Sequence, residues 1–330
     1  MKMINYIRSR KSKNSKLLYN LKNLSAYCIP NALFQTTLDY QLSKVTNYDL
    51  SYITKRVNYY NKLENPYTIN ETFIALKDFV LGKGYKPHSC FFDTYEYTRY
   101  FNKDYKLSFL FGDITEVPDF PRIVKSRPIN DHNTNSVILK LNKLRHFIYI
   151  NDQKSFQVKK NLLIGRGATY QQHRIEFYEK YFGHPLCNLG QVKTRKTIHP
   201  EWNVAYTPIA DHLDYKFILC LEGNDVASNL KWVMSSNSIA VMPKPKYETW
   251  FMEGTLIPDY HFIEIKSDYS DLEEKLNYYI EHTDEALSII ENAHQYVSNF
   301  KNKEREGLIS LLVLQKYFKL QNFSDIQDIR

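Results

Sequence analysis

Short apolar runs alternate with helix-like segments along most of this chain, and that alternation limits the folds open to it. No run is longer than eight residues, so each is interpreted as a buried strand rather than a helix. Strands separated by helices predict parallel sheets joined by right-handed crossovers. The sequence therefore predicts an α/β fold with two layers, around 105–152 and from about 158 to 300. The runs are KLSFLFGD (106–113), HFIYIND (146–152), NLLIGRG (161–167), YKFILCL (215–221), SIAVMP (238–243) and HFIEIKSD (261–268).

Apolar residues at helical spacing predict helices between and around these strands. The first hundred residues are predicted to be mainly helical. Their best amphipathic segment is NETFIALKDFVLGKGY (70–85), which Gly82 or Gly84 would end. Further helices are predicted over HRIEFYEKYFG (173–183), residues 226–236, and the tail segments 271–282, 285–300 and 307–320.

The length of 330 residues corresponds to about two domains of roughly 100–200 residues each. We place the boundary at 157/158. The segment 301–330 is predicted as a C-terminal helix that either packs back on the first domain or simply fills the core.

Most of the formal net charge of +8 comes from a basic arm that precedes the first acidic residue, Asp39. The arm either lies on an anionic membrane surface through residues 2–22, or is a solvated basic helix. No apolar stretch approaches the ~20 residues that cross a bilayer, so the chain is expected to be cytoplasmic. The basic residues are Lys2, Arg8, Arg10, Lys11, Lys13, Lys16 and Lys22.

Three predicted strand ends carry polar or charged residues of the kinds used in catalysis and ligand binding. Asp113 follows the first run, Arg166 lies in a Gly-Arg-Gly turn with Arg174 one helical turn later, and CLEGND (220–225) precedes a helical pattern that holds Lys231. Each has a local explanation as a turn or cap. Together they suggest a pyrophosphate site, because ligands gather at the carboxyl ends of parallel strands and anions favour helix N-termini.

Known nucleotide and metal motifs fit poorly. GRGATY lacks the third glycine of the dinucleotide fingerprint, and the sequence has no P-loop, no G-x-S-x-G elbow and no D-x-D pair. The four cysteines have no paired spacing, so they predict neither a zinc site nor disulfides. We therefore expect no cofactor and no metal.

The chain resembles glycosyltransferase family 90 from about Lys106 to Phe300. GRGATYQQHR (165–174) is similar to the family's F-R-G-S-R-T-S-x-x-R loop, and HLDYKFILCLEG (212–223) to its H-x-x-Y-K-Y-L-x-x-x-x-G segment. FLFGDITEVPDFP (109–121) resembles the strand that bears the catalytic aspartate. LEGNDVASNLKW and MPKPKYETWFMEG are similar to the bacterial lipopolysaccharide branch.

The resemblance implies a GT-B-like fold, in which two Rossmann-like domains face each other across a cleft, with a helical N-terminal extension. Residues 1–157 would form the acceptor side and 158–300 would bind a UDP-hexose. Transfer would be inverting and metal-independent, with Asp113 as general base and Asp119 as the alternative. The donor-binding residues would be Arg166, Gly167, Ala168, Arg174, Lys216, Glu222, Gly223, Asn224, Asp225, Asn229 and Lys231.

Two positions depart from the family pattern. Ala168 stands at the loop serine, and Asn229 at an arginine. Lys231 or Arg166 would then supply the missing charge, and Glu222 or Asp225 would accept the ribose hydroxyls. Lys216 matches the motif but serves equally well as a packing residue in a strand.

The expected acceptor is a lipopolysaccharide or lipooligosaccharide core, and no nucleic acid is expected as a partner. Two alternatives stay open. One is a non-catalytic binder of polyanions or single-stranded nucleic acid, suggested by the charge and 27 tyrosines. The other is a protein O-glycosyltransferase.

Overall fold

The computed structural model of the protein describes residues 15–192 and 198–322. They form two compact units. The first unit comprises Lys16–Leu144, Lys246–Glu253 and the residues from Phe300 onward, and the second comprises Arg145–Pro245 and Gly254–Asn299. Residues 145–157 thus lie in the second unit, whereas the sequence-based division places them before its boundary. None of the helices within these ranges has the length and apolarity to cross a bilayer.

The described helices follow one another from α1 to α12. They are α1 (Lys16–Tyr27), α2 (Asn31–Gln35), α3 (Leu38–Ser43), α4 (Leu50–Tyr60), α5 (His88–Thr98), α6 (Lys143–His146), α7 (Gln172–Tyr181), α8 (Ile209–His212), α9 (Leu230–Val233), α10 (Leu272–Glu281), α11 (Thr283–Ser298) and α12 (Lys303–Lys319). Short 3₁₀ helices span Lys44–Asn47, Leu76–Asp78, Phe156–Val158, Pro200–Trp202 and Glu253–Thr255.

The described strands are mostly short. They are β1 (Tyr67–Thr68), β2 (Ile74–Ala75), β3 (Lys106–Leu107), β4 (Phe109–Leu110), β5 (Arg122–Val124), β6 (Ser126–Pro128), β7 (Ser136–Ile138), β8 (Lys160–Gly167), β9 (Cys187–Gln191), β10 (Tyr215–Leu219), β11 (Ile239–Met242), β12 (Tyr247–Thr249), β13 (Ile263–Glu264) and β14 (Gln321–Asn322).

Two sequence-based element predictions are wrong. The segment 70–85 is not a helix. It contains β2, which pairs with β3, and a 3₁₀ turn, because Phe73, Ala75 and Phe79 are buried and tertiary packing overrides local propensity. The segment 146–152 is not a strand. Its apolar residues are only half-buried, and the Ile150 N–H donates to the Ser235 hydroxyl rather than to a neighbouring strand.

The first unit contains a parallel three-stranded sheet in the order β4-β5-β7, whose centre is fully buried. Helix α12 packs against α4 and α5, and β14 pairs with β1, so the end of the described chain belongs to this unit. The predicted strand at 106–113 is split into β3 and β4. It ends at Leu110, before Gly112, which has a φ of +119°.

The segment Lys246–Glu253 is held in the first unit by buried polar contacts. Glu248 accepts a hydrogen bond of 2.7 Å from Arg127 Nε, and both side chains are almost fully buried. Trp250 stacks on Tyr60 at 3.9 Å between ring centroids. Most of MPKPKYETWFMEG, one of the two segments similar to the bacterial branch, therefore packs within this unit.

Helix α1 is fixed to the first unit by one of its faces. The Tyr19 hydroxyl donates to the Asp93 carboxylate (2.7 Å), and Tyr27 lies against Phe91 and Tyr95. Of the predicted basic arm, Lys16 and Lys22 lie on α1, and residues 2–14 lie outside the described residues.

The burial of Asp93 predicts a pH-dependent stability. Burial raises the pKa of this carboxyl from 3.8 to about 6, against the opposing effects of Lys143 and Tyr19. Because the folded-state pKa is the higher one, its contribution to stability is complete below pH 4 and is lost as the pH rises towards 6. Relative to Asp93→Asn, the free energy of unfolding should fall by about 2–3 kcal/mol across that window. Urea unfolding of both proteins from pH 4 to 7 measures it, and a pH-independent difference would contradict it.

The second unit contains a five-stranded, entirely parallel sheet in the order β13-β11-β10-β8-β9. Numbered along the chain, this is the 2-1-3-4-5 order of a doubly wound fold. The predicted strands at 161–167, 215–221, 238–243 and 261–268 are confirmed, the last three in shorter form, and so are the helix at 173–183 and the three tail helices. Strand β9 was not predicted.

Two glycines allow close packing around β8 and β9. A Cβ at Gly190 would lie 2.4 Å from Val204 Cγ2, and one at Gly165 would lie 2.8 Å from Leu189 Cδ2. We expect Gly190→Ala to lower the free energy of unfolding by ~2 kcal/mol, because it overpacks the interior. In a Val204→Ala background the same change should cost clearly less.

The matched control for this prediction is Gly307→Ala in α12. There the nearest atom to an added Cβ is 3.8 Å away, so the change should stabilise the helix by ~0.5–1 kcal/mol. Urea unfolding of the four variants measures these effects. An equal cost for Gly190→Ala in both backgrounds would rule out the contact with Val204.

Candidate functional site

The order of the strands in the second unit marks one edge of the sheet as a ligand site. The chain leaves β8 towards β9 on one side and continues through β10 on the other, so the crevice between the carboxyl ends of β8 and β10 is a topological switch point. The residues that follow these two strands are Ala168–Thr169 and Cys220–Gly223. The glycine-arginine turn and the CLEGND segment singled out in the sequence therefore meet at one place.

Arg174 joins the loops that follow β8 and β10. It lies in the first turn of α7. Its Nε donates to the Glu222 carbonyl, one terminal nitrogen to the Ala168 carbonyl and the other to the Leu221 carbonyl, each at 2.8 Å. Burial lowers the pKa of this guanidinium, and the nearby charge of Arg145 acts in the same direction. Arg174 thus fixes the shape of the crevice, a role that the sequence did not indicate.

Arg166 lies near the end of β8 and holds the neighbouring strand. Its guanidinium donates to the Asn188 carbonyl (2.6 Å) and side-chain oxygen (2.7 Å), to the Gly165 carbonyl (2.8 Å), and through Nε to the Thr207 hydroxyl (3.0 Å). Burial lowers the pKa of this group as well.

Arg166 and Arg174 donate their hydrogen bonds to uncharged oxygens. Within the described part of the chain, every hydrogen-bond acceptor of Arg166 and Arg174 is a neutral oxygen of a carbonyl, an amide or a hydroxyl. Their two positive charges are therefore not neutralised by ion pairs at the switch point. Such a surplus of positive charge suits an anionic ligand. Arg145, which sequence reasoning missed, adds a third cation close to Arg174.

The helix expected from 226 begins later than predicted. Helix α9 covers only Leu230–Val233, so residues 222–229 form an irregular segment and the predicted helix start at 223–226 is wrong. The Gly223 N–H already donates to the Asp225 carbonyl (2.9 Å). The Asn229 side chain donates to the Leu219 carbonyl (2.9 Å) instead of capping a helix. With only four residues, α9 contributes no long-helix dipole to anion binding at this place.

Both lysines of the predicted donor site are buried. Lys216 is 6% exposed on β10, with its ammonium 4.8 Å from the centre of the Phe156 ring, and burial lowers its pKa. Lys231 is fully buried in α9, close to the buried thiol of Cys220. Burial raises the pKa of that thiol, and the Lys231 charge opposes the effect. Neither ammonium lies at the surface of the crevice, and their role in donor binding stays a prediction.

The remaining predicted donor residues surround the crevice. A Cβ at Gly167 would lie 3.3 Å from a terminal nitrogen of Arg174, so a side chain there would press on the Arg174 guanidinium. Asn224 is exposed and accepts a hydrogen bond from Gln171 (3.3 Å), whereas Asp225 is buried. The proposed ribose contact of Glu222 or Asp225 stays a prediction.

Sequence reasoning missed several polar groups near these strand ends. His173 Nε2 lies 2.8 Å from the Glu222 carbonyl, and the buried Thr169 hydroxyl donates to Gln191. Within the described ranges, Gln171 Oε1 and Glu264 Oε2 are buried without a hydrogen-bond partner. Thr169 and Gln171 lie in the loop between β8 and α7. A search for polar residues in the loop after each predicted strand would have found them.

Asp113 lies in the first unit, three residues after β4. Lys125, which follows β5 and is 2% exposed, donates to the Asp113 carboxylate at 2.5 Å, while 30% of the Asp113 side chain stays exposed. The ion pair fixes the direction of a carboxylate that solvent can reach. Asp119 is also exposed, and its backbone carbonyl accepts a hydrogen bond from Asn135. Nothing in the described ranges forms a group of three or more His, Cys, Asp or Glu residues able to hold a metal ion.

Comparisons with known proteins identify relatives. The family model described as Glycosyl transferase family 90 matches residues 145–328. The chain is also 42% identical, over 268 residues, to a protein of Dichelobacter nodosus named O-glucosyltransferase LpsA, and the match covers 81% of this chain and 83% of that relative.

Proposed function

Because the chain belongs to glycosyltransferase family 90, and is thus a glycosyltransferase, we propose that it transfers glucose from UDP-glucose to a lipopolysaccharide or lipooligosaccharide core. Membership of an enzyme family removes the alternative of a non-catalytic polyanion binder. The choice of glucose follows the name of the Dichelobacter nodosus relative. The acceptor follows the sequence resemblance of LEGNDVASNLKW to the bacterial lipopolysaccharide branch.

The observation that carries the proposal is the pair of guanidinium groups with only neutral partners at the switch point. A nucleoside diphosphate supplies anionic oxygens for these guanidinium groups, which bind phosphate oxygens well. The doubly wound order of the second unit supports a nucleotide at the same edge. A GT-B-like architecture, which the sequence resemblance implies, is part of the proposal.

The proposed reaction is a single displacement with inversion. The Asp113 carboxylate accepts the proton of the acceptor hydroxyl, whose oxygen forms a bond to the anomeric carbon of the sugar. The bond from that carbon to the β-phosphate oxygen breaks, and UDP leaves with the electron pair. Arg166 and Arg174 stabilise the charge that grows on the phosphate. In this mechanism these side chains accept the proton and stabilise the leaving group, and no metal ion takes part.

Transfer assays test the proposal. The purified chain is incubated with UDP-glucose or UDP-galactose, and with truncated lipooligosaccharide or an EGF-like repeat as acceptor. Mass spectrometry should show one added hexose on the lipooligosaccharide with UDP-glucose, and NMR should show the opposite anomeric configuration to the donor. Transfer to the EGF-like repeat alone would favour the protein O-glycosyltransferase, and retention of configuration would exclude the single displacement.

A further inference from the structure

Helix α1 presents a row of exposed leucines. Leu17, Leu21 and Leu24 are 68%, 55% and 43% exposed, and Leu18 between them is 67% exposed. At about 100° per residue these side chains share one face of the helix. Large apolar side chains that adjoin one another at the surface mark a place of interaction.

The opposite face of α1 holds the helix on the first unit. Tyr19 donates to Asp93 (2.7 Å) and to the Ser89 carbonyl (3.1 Å), and the Tyr27 ring lies 4.9 Å from that of Tyr95. The Leu81 N–H also donates to the Tyr27 hydroxyl (3.2 Å). Because these contacts fix the orientation of α1, its leucine face points away from the unit.

The charged residues of α1 itself are all basic. Lys16 and Lys22 lie on α1, and residues 1–38 contain seven lysines and arginines and no acidic residue. A second copy of the chain is disfavoured as the partner of this face. A symmetric dimer would bring the lysines of one α1 close to the same lysines of the other, and like charges repel. An anionic bilayer supplies apolar depth and negative charge together.

We propose that the leucine face of α1 inserts into the surface of an anionic membrane. The leucines enter the boundary between headgroups and acyl chains, and the lysines meet the lipid phosphates. This membrane contact is separate from sugar transfer. It depends on the leucines within Leu17–Leu24 as well as on the basic residues. Since Tyr19 and Tyr27 fix the helix, insertion also sets the direction in which the first unit meets the membrane.

Vesicle flotation of the full chain tests the proposal. The protein should float with phosphatidylcholine vesicles that contain phosphatidylglycerol, and less with phosphatidylcholine alone. The triple variant Leu17→Ser/Leu21→Ser/Leu24→Ser should partition at least about tenfold more weakly. The matched control is Val158→Ser/Ile198→Ser/Ile257→Ser, which alters three aliphatic residues of the second unit that are 71%, 57% and 53% exposed, and it should float as the wild type does.

Three results would overturn the proposal. They are the absence of wild-type flotation, an undiminished flotation of the leucine variant, and a wild-type dimer that the leucine changes convert to a monomer. Circular dichroism and binding of UDP by the variant show that it is folded. Since flotation needs neither donor nor acceptor, its outcome is independent of the proposed transfer reaction.

Discussion

Asp113→Asn should abolish sugar transfer almost completely. The amide keeps the size of the side chain and loses the ability to accept the proton of the attacking hydroxyl, so kcat should fall by about 10²–10⁴-fold. The affinity for UDP-glucose should stay within about twofold, because Asp113 belongs to the first unit and the proposed diphosphate contacts to the second. Steady-state kinetics and a calorimetric donor titration measure the two quantities.

The matched control for this variant is Asp119→Asn. Asp119 is another aspartate of the same segment, and it is exposed, so its change should leave kcat within a few-fold of the wild type. If Asp119→Asn loses activity and Asp113→Asn keeps it, the assignment of the base moves to Asp119. If both stay active, neither carboxylate is the base.

Arg174→Lys should weaken donor binding although it keeps the charge. A lysine ammonium cannot reach the Ala168, Leu221 and Glu222 carbonyls together, as the planar guanidinium does at 2.8 Å. Each carbonyl left unsatisfied in a buried place costs about 1–3 kcal/mol. We expect the free energy of unfolding to fall by at least ~2 kcal/mol and the Kd for UDP to rise by more than about tenfold.

Lys180→Arg provides the control for Arg174→Lys. It makes the reverse exchange on the exposed side of the same helix, where Lys180 donates to the Asp268 carbonyl and lies over the Tyr181 ring. Both measured quantities should stay at their wild-type values. Unchanged UDP affinity in Arg174→Lys would show that the junction of the two loops does not shape the donor site.

The sequence predicts the second unit better than the first because its central strands contain runs of buried apolar residues. Strands β8, β10 and β11 appear as continuous apolar runs, which is typical of parallel strands covered on both faces. Strand β9, CNLGQ, has no such run, since it lies at the edge of the sheet. The errors at 70–85 and 146–152 fall where tertiary contacts decide between short elements, and local periodicity contains no information on these contacts.

The sequence predicts where along the chain the residues of the candidate site lie, and it does not predict which atoms they bond to. Strand ends are visible in the sequence, so Arg166, Arg174 and the 220–225 segment were expected near the ends of parallel strands, where the structure has them. Their part in donor binding stays a prediction. Each guanidinium also bonds to oxygens distant in sequence, such as the Glu222 carbonyl, 48 residues from Arg174, and the Asn188 carbonyl, 22 residues from Arg166. The delayed start of α9 has a similar cause, because the Asn229 side chain bonds to β10.

Titration of the wild-type chain with UDP, UMP and uridine tests the central claim most directly. If the two guanidinium groups without acidic partners form a diphosphate site, each phosphate removed should cost ~1.4 kcal/mol or more, which is about tenfold in Kd. UDP should then bind at least about 100-fold more tightly than uridine. Equal affinities for the three ligands, or no binding of UDP, would contradict the account.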